Sequence, residues 1–293
     1  MNLHLSTCAG NMANAVLCRT LSRKLSFQQQ HRYFGIAMTL SRSRTNSQSA
    51  SASTVNLSSF GAVRSLSTLR DSGNTMLAWQ IDSYGKNNKL KLVERPIPVI
   101  TRPDQVLIKV YASSVNRLDV RMRGGYGATF FNKSRRVKPG GEFPLTFGRD
   151  CSGVVVDVGK GVKDFQIGQE VWAMVSQVEQ GAHAQYVLTT VQEMSPKPES
   201  LTHTEAASIP YVAITTWSAT FAVARFRPQN AVGQFALVHG GSGGVGSFAI
   251  QLLKAWNARV ATTCSTDAVE LVRSLGADHV VDYRTTNAEA ELR

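Results

Sequence analysis

The strongest constraint on this chain is a short apolar run that turns into a glycine-rich segment and then into a helical pattern. Phe235-Ala236-Leu237-Val238 is long enough for a buried strand, and Gly241-x-Gly243-x-x-Gly246 follows it. Val245, Ala249, Leu252, Leu253 and Trp256 then recur at helical spacing. The glycines therefore sit where a strand becomes a helix, the context in which this spacing binds a dinucleotide. Gly241 is expected to permit the tight turn, Gly243 to let the backbone approach a pyrophosphate, and Gly246 to let the helix lie close on the strand. The free N–H groups and partial positive charge of the helix start would attract the anion. A plain βα turn without a ligand is the alternative.

After this unit, Ala258–Cys264 predicts a second strand. A helix is expected from about Asp267 to Leu275, stopped by Gly276, and then a third strand over Asp278–Tyr283. That is β-α-β-α-β, half of a doubly wound sheet. The second half of such a domain does not follow before Arg293, so the reading expects a truncated form that binds nucleotide weakly. Upstream, Thr202 and Glu205 have capping-box spacing. Helical segments are expected over 206–209 and 211–224, with Pro210 interrupting them.

The net charge of +12 suggests nucleic acid until its location is considered. Residues 1–70 contain no Asp or Glu, and their Arg and Lys residues supply eight of the excess charges. With its serines, this is the composition of a mitochondrial transit peptide. Leu17, Leu21 and Leu25, with Arg19, Arg23 and Lys24, suit a short basic amphipathic helix, and residues 41–59 read as unfolded. A basic tail without a targeting role is the alternative. No recognition motif supports nucleic-acid binding. No apolar run reaches the length of a membrane span. The four cysteines show neither metal-ligand nor disulfide spacing.

Between the leader and the glycine-rich unit the pattern is that of short strands broken by Gly and Pro: 77–81, 89–93, 105–112, 151–159, 166–173 and 181–187. Such spacing predicts a small barrel-like β domain. Lys133, Arg135, Arg136 and Lys138 read as a basic, solvated loop. The divisions expected are 1–75 as transit peptide and linker, 76–200 as the β domain, and 201–293 as a bridging helix with half of a nucleotide-binding domain.

The order of Ser114-Val115-Asn116-Arg117-Leu118-Asp119, Phe147–Val155, Ile167–Trp172, Gly181–Val187 and the glycine-rich turn resembles the medium-chain dehydrogenase/reductase superfamily, in its zinc-free quinone oxidoreductase branch. The resemblance covers residues 76–293. It implies an α/β protein: a GroES-like β-barrel domain followed by a Rossmann nucleotide-binding domain, of which the first βαβαβ half is present. Where zinc alcohol dehydrogenases of the superfamily have Gly-His-Glu, this chain has Gly148-Arg149-Asp150. Arg cannot ligate a cation, and no histidine has a partner at ligand spacing. No metal is expected, and reduction of a quinone or conjugated carbonyl fits better than alcohol oxidation.

The resemblance places Asn116 and Asp119 on the floor of the substrate cleft, and Tyr126, on a Gly-rich loop, can line it. These three are the candidate catalytic residues, the alternative for Asn116 and Asp119 being local backbone hydrogen bonds. Ser242, Gly243, Gly244 and Val245 are the candidates for the pyrophosphate. At the tip of the second strand Ser265 stands where NAD enzymes carry an acid. A hydroxyl can donate to a 2′-phosphate that a carboxylate would repel, so NADPH is expected. Asp267 reads as a helix cap, and NADH follows if it reaches the ribose instead. Tyr283 matches a family position near the adenosine, and Arg284 can add charge. The resemblance further implies a mitochondrial location, a link to ubiquinone metabolism, a reticulon-family protein as partner and a homodimer. A nucleotide-binding interaction protein with little turnover is the competing reading.

Overall fold

The computed structural model describes residues 75–292. The transit-peptide reading falls on residues outside this range. Strand β1 (Thr75–Ile81) pairs antiparallel with β2 (Lys91–Pro96), and its other edge takes β4 (Leu145–Thr146) after the intervening β3 (Gln105–Ala112). Strand β3 belongs to a second, antiparallel sheet with β5 (Asp150–Val158), β6 (Glu170–Met174), β7 (Tyr186–Thr190) and β8 (Met194–Pro196). Its order is β7-β3-β5-β6-β8. The alternation of Val106 and Ile108 with their neighbours puts them into one core with Cys151, Val155, Val171, Val187 and Met194. Burying side chains of that size favours folding by about 1.5–3 kcal/mol each.

Residues 181–185 do not extend β7 as the sequence suggests. Their hydrogen bonds alternate among three partners. His183 O accepts from Trp79 N, Gln185 O accepts from Val110 N, and Ala182 N and His183 N donate to the Gly148 and Phe147 carbonyls. A segment stitched to two sheets and a loop cannot also form one ladder. The basic run differs too. Lys133 and Arg135 lie in helix α2 (Ala128–Arg135), which follows α1 (Arg117–Arg123). Arg135 is partly buried and donates to the Gln177 and Val178 carbonyls.

Beyond the barrel, Thr202 and Glu205 form the expected capping box at α3 (His203–Ala207). Pro210 does not interrupt a helix but starts one: α4 (Pro210–Trp217) has proline at its first position, where no N–H is needed, and continues as a π-helical turn. The parallel unit then runs β9 (Phe235–His239), α5 (Gly244–Ala255), β10 (Arg259–Cys264), a 3-10 turn, α6 (Val269–Ser274), β11 (His279–Asp282) and α7 (Ala288–Leu292). Sheet order is β11-β10-β9. Ile250, Leu253, Trp256, Val260 and Val272 form its core. The central β10 is buried from Val260 to Cys264, whereas β9 alternates between exposed and half-buried and is paired on one side among the described residues. The fold is the expected α/β class, a GroES-like β domain followed by a partial Rossmann-type sheet.

Candidate functional site

The site begins where β9 hands the chain to α5. The left-handed residue of this turn is Gly240 (φ 76°), one before the glycine expected to make it. Gly241 has another duty: a Cβ there would lie 2.1 Å from Thr262 Oγ1 on β10. Gly246 is closed in the same way, since its Cβ would meet Gly240 O at 2.2 Å, so the helix lies directly on the turn. Gly243 is the open one, with Gly240 O at 3.5 Å as the nearest atom to an added Cβ. Ser242, Gly243, Gly244 and Val245 are exposed between buried Gly241 and Gly246. Gly243 caps α5, so the first N–H groups of the helix lack intrahelical acceptors and face the same opening. Free N–H groups at a helix start attract an anion.

The tips of β10 and β11 lie alongside. Gly241 N donates to Thr263 O, and Tyr283 N to Cys264 O at 3.1 Å, which brings exposed Tyr283 beside half-exposed Ser265. Asp267 is not a helix cap. It lies inside the 3-10 turn Thr266–Ala268, whose N-cap is Ser265. A hydrogen bond from Ser265, its own backbone N–H and the charge of Arg284 hold the Asp267 carboxyl below its ordinary range.

On the barrel side, Asn116 and Asp119 belong to one local arrangement. Asp119 is buried, and its two oxygens accept from Asn116 N at 2.8 Å and Gly148 N at 3.1 Å. Half-exposed Asn116 directs Nδ2 to Asp150 Oδ2 at 2.7 Å and to Ser114 Oγ at 3.3 Å. The carboxylate fixes which end of the amide faces it, because Oδ1 there would be repelled. Tyr126 is exposed on the turn between α1 and α2, with the Arg121 guanidinium 5.6 Å from its ring centre. Burial pushes the Tyr211 phenol up, and the charges of Asp119 and Asp150 add to the shift.

Two family models match this chain: the alcohol dehydrogenase GroES-like domain over residues 102–199 and the zinc-binding dehydrogenase over residues 244–293. The chain belongs to the medium-chain dehydrogenase/reductase superfamily. Among curated relatives, the Bos taurus protein named NAD(P)H oxidoreductase RTN4IP1, mitochondrial, is 50% identical over 238 residues, which are 79% of this chain and 60% of that protein. The Caenorhabditis elegans reticulon-4-interacting protein 1, mitochondrial, is 44% identical over 224 residues, covering 75% of this chain and 60% of the relative. A solved quinone oxidoreductase from Coxiella burnetii superposes with a TM-score of 0.66 at 31% identity, covering 75% of this chain and 66% of that one. The chain thus spans about three fifths of the length of these curated relatives. Their names agree with the mitochondrial location expected from the leader.

Within the superfamily frame, the position that carries a zinc-ligand histidine elsewhere is here a buried arginine. Arg149 donates to the Ser176, Glu179 and Thr146 carbonyls. Among the described residues no three His, Cys, Asp or Glu side chains converge as a metal would need. Sequence reasoning missed Ser114, Asp150 and Tyr211 as neighbours of the site. Asp150 was visible only as the residue after Arg149, and nothing local linked it to a helix start 61 positions on.

Proposed function

We propose that this is a mitochondrial NADPH-dependent oxidoreductase that passes hydride to a quinone or conjugated carbonyl without zinc. The observation that carries the reading is the exposed turn Ser242–Val245 at the positive end of α5, beside the β10 and β11 tips. Relatives named NAD(P)H oxidoreductase and a quinone oxidoreductase of the same fold support it. Residues 76–200 would form the catalytic domain and 201–293 the bridging helix and the nucleotide-binding half.

When bound, the dinucleotide supplies the hydride. Ser242, Gly243, Gly244 and Val245 would hold its pyrophosphate by backbone N–H groups and one hydroxyl. Ser265 and Tyr283 would take the adenosine end, the Ser265 hydroxyl turning from Asp267 to a 2′-phosphate, with Arg284 as the nearby cation. Tyr126 would wall the substrate side. Asn116 would orient an acceptor oxygen by turning to it the N–H now on Ser114 Oγ at 3.3 Å, and Asp119 would order the loop on which Asn116 sits. Holding donor and acceptor together then contributes much of the rate, and the proton would come from water. Fluorescence titration with NADPH and with NADH, followed by loss of reduced-nicotinamide absorbance when a quinone is added, tests this. No saturable binding of either nucleotide would overturn it.

A second reading has one observation in its favour. The Asn116 amide N–H groups and the Asp119 carboxylate are already engaged within the protein, which suits a nucleotide-binding interaction protein with little turnover. Nucleotide binding without quinone-dependent oxidation would favour it, with a reticulon-family protein as the partner to test. A link to ubiquinone biosynthesis and a homodimer remain part of the first reading.

A further inference from the structure

We propose that Asp150 is a positioning residue joining the loop of Asn116 to the helix that leads into the nucleotide turn, so that the two sides of the site respond together. Asp150 stands at the start of β5, fully buried. Its Oδ2 accepts from Ser114 Oγ at 2.6 Å and Asn116 Nδ2 at 2.7 Å. Its Oδ1 accepts from Tyr211 N at 2.6 Å, in the first turn of α4. That helix has no cap of its own: Ile209, at the N-cap, has no side-chain acceptor, and Pro210 has no N–H. A carboxylate from the barrel therefore satisfies the first free donor of α4, where the helix dipole favours negative charge.

The same helix bears on the glycine-rich turn along its length. Thr216 Oγ1 donates to Val245 O at 3.2 Å, and Val212 lies 3.1 Å from where Gly244 would carry a Cβ. One short helix thus touches the anion turn from both its first and its last turn, and Asp150 holds its first free N–H. The buried carboxylate then bears on Asn116 and Ser114. Water cannot substitute for the link, because Asp150 is out of solvent.

The test is hydrogen–deuterium exchange over residues 113–120 and 210–217 in Asp150→Asn, with and without NADPH. The amide is uncharged, so the charge-assisted hydrogen bonds that Asp150 accepts from Tyr211 N and from Ser114 and Asn116 are weakened on both sides. Without nucleotide, exchange should quicken by about tenfold or more in both segments and stay unchanged in the three sheets. A response in one segment alone overturns the proposal. The nucleotide arm rests on the function proposed above: NADPH should slow exchange in both segments of the parent, but only in 210–217 of the variant. Equal protection of 113–120 in parent and variant also overturns the proposal. No protection in the parent at all counts against nucleotide binding, and the nucleotide-free arm still decides the link. Should Asp150→Asn fail to fold, the double variant Ser114→Ala with Asn116→Ala removes both donors to Asp150 Oδ2 and should abolish NADPH protection of 113–120 alone. Its persistence would overturn the proposal.

Discussion

Arg149 Nε lies 3.9 Å from Asp119 Oδ1, with both side chains buried and no hydrogen bond between these two atoms. Burial pulls the Arg149 pKa down to about 10 and Asp119 opposes the fall, so the guanidinium stays charged at neutral pH. It also serves three carbonyls. Arg149→Met should cost about 3–5 kcal/mol, as removal of one member of a buried pair does. Arg149→Lys should recover part of that, since it keeps the charge but not the fork. Urea midpoints decide. A loss below about 1 kcal/mol for the Met variant would mean the pair carries little, as exposed pairs do.

The glycines of the turn should separate folding from binding. Gly246→Ala drives a methyl into Gly240 O, so both stability and nucleotide affinity should fall. Gly243→Ala meets only Gly240 O, at an ordinary contact distance of 3.5 Å. Its stability should stay within about 1 kcal/mol, the scale of an N-cap change, while nucleotide affinity drops because the methyl occupies the ligand's approach. Thermal melts paired with NADPH titration separate the two, and equal loss of stability in both variants would count against this division.

Choice of nucleotide should respond to Asp267. Its carboxyl is held below the ordinary range by Ser265, its own N–H and Arg284, and in the binding mode proposed above it would face a 2′-phosphate. Asp267→Asn should tighten NADPH and leave NADH little changed. Ser265→Asp should reverse the preference. Parallel titrations read both, and unchanged NADPH affinity in Asp267→Asn would show that this carboxylate does not meet the ligand.

Burial pushes the Cys151 thiol up to about 12, and Cys264 is raised for the same reason. The thiolate is the reactive form. A disulfide exchange reagent at mildly alkaline pH should therefore label neither cysteine until denaturant is added. Rapid native labelling of Cys151, followed by peptide mapping, would contradict the packing of β5 against β6.

Burial also raises the Glu193 carboxyl, against hydrogen bonds from Thr189 and Thr190. Between the ordinary glutamate pKa and this raised one, the folded state binds more protons than the unfolded state. Stability should therefore decline as pH rises through that window. Glu193→Gln should flatten this limb of a plot of denaturation midpoint against pH. An unchanged slope would remove Glu193 as its source.

What the sequence revealed was local. The strand–turn–helix at Phe235–Trp256 and the capping box at Thr202–Glu205 are written in neighbouring residues. What it concealed was set by distant ones. Arg135 reads as solvated until its carbonyl partners appear more than forty residues away. His183 reads as strand because its neighbours alternate, yet its carbonyl partners Trp79 N. Gly241 resembles the turn residue, but the demand on it comes from Thr262 on the next strand. Asn116, Asp119 and Asp150 all lie in stretches legible as motifs, but the hydrogen bond by which Asp150 holds Asn116 joins residues 34 positions apart and is visible only in the fold.

Strand β9 carries the glycine turn at its end and has exposed Phe235 and Leu237 along its length, with one flank unpaired among the described residues. No lysine or proline interrupts it, and such a flank is a template for another backbone. Turbidity and particle size therefore belong beside every titration of this polypeptide. A nucleotide isotherm collected from aggregates would report the clustering of many turns, not the affinity of one.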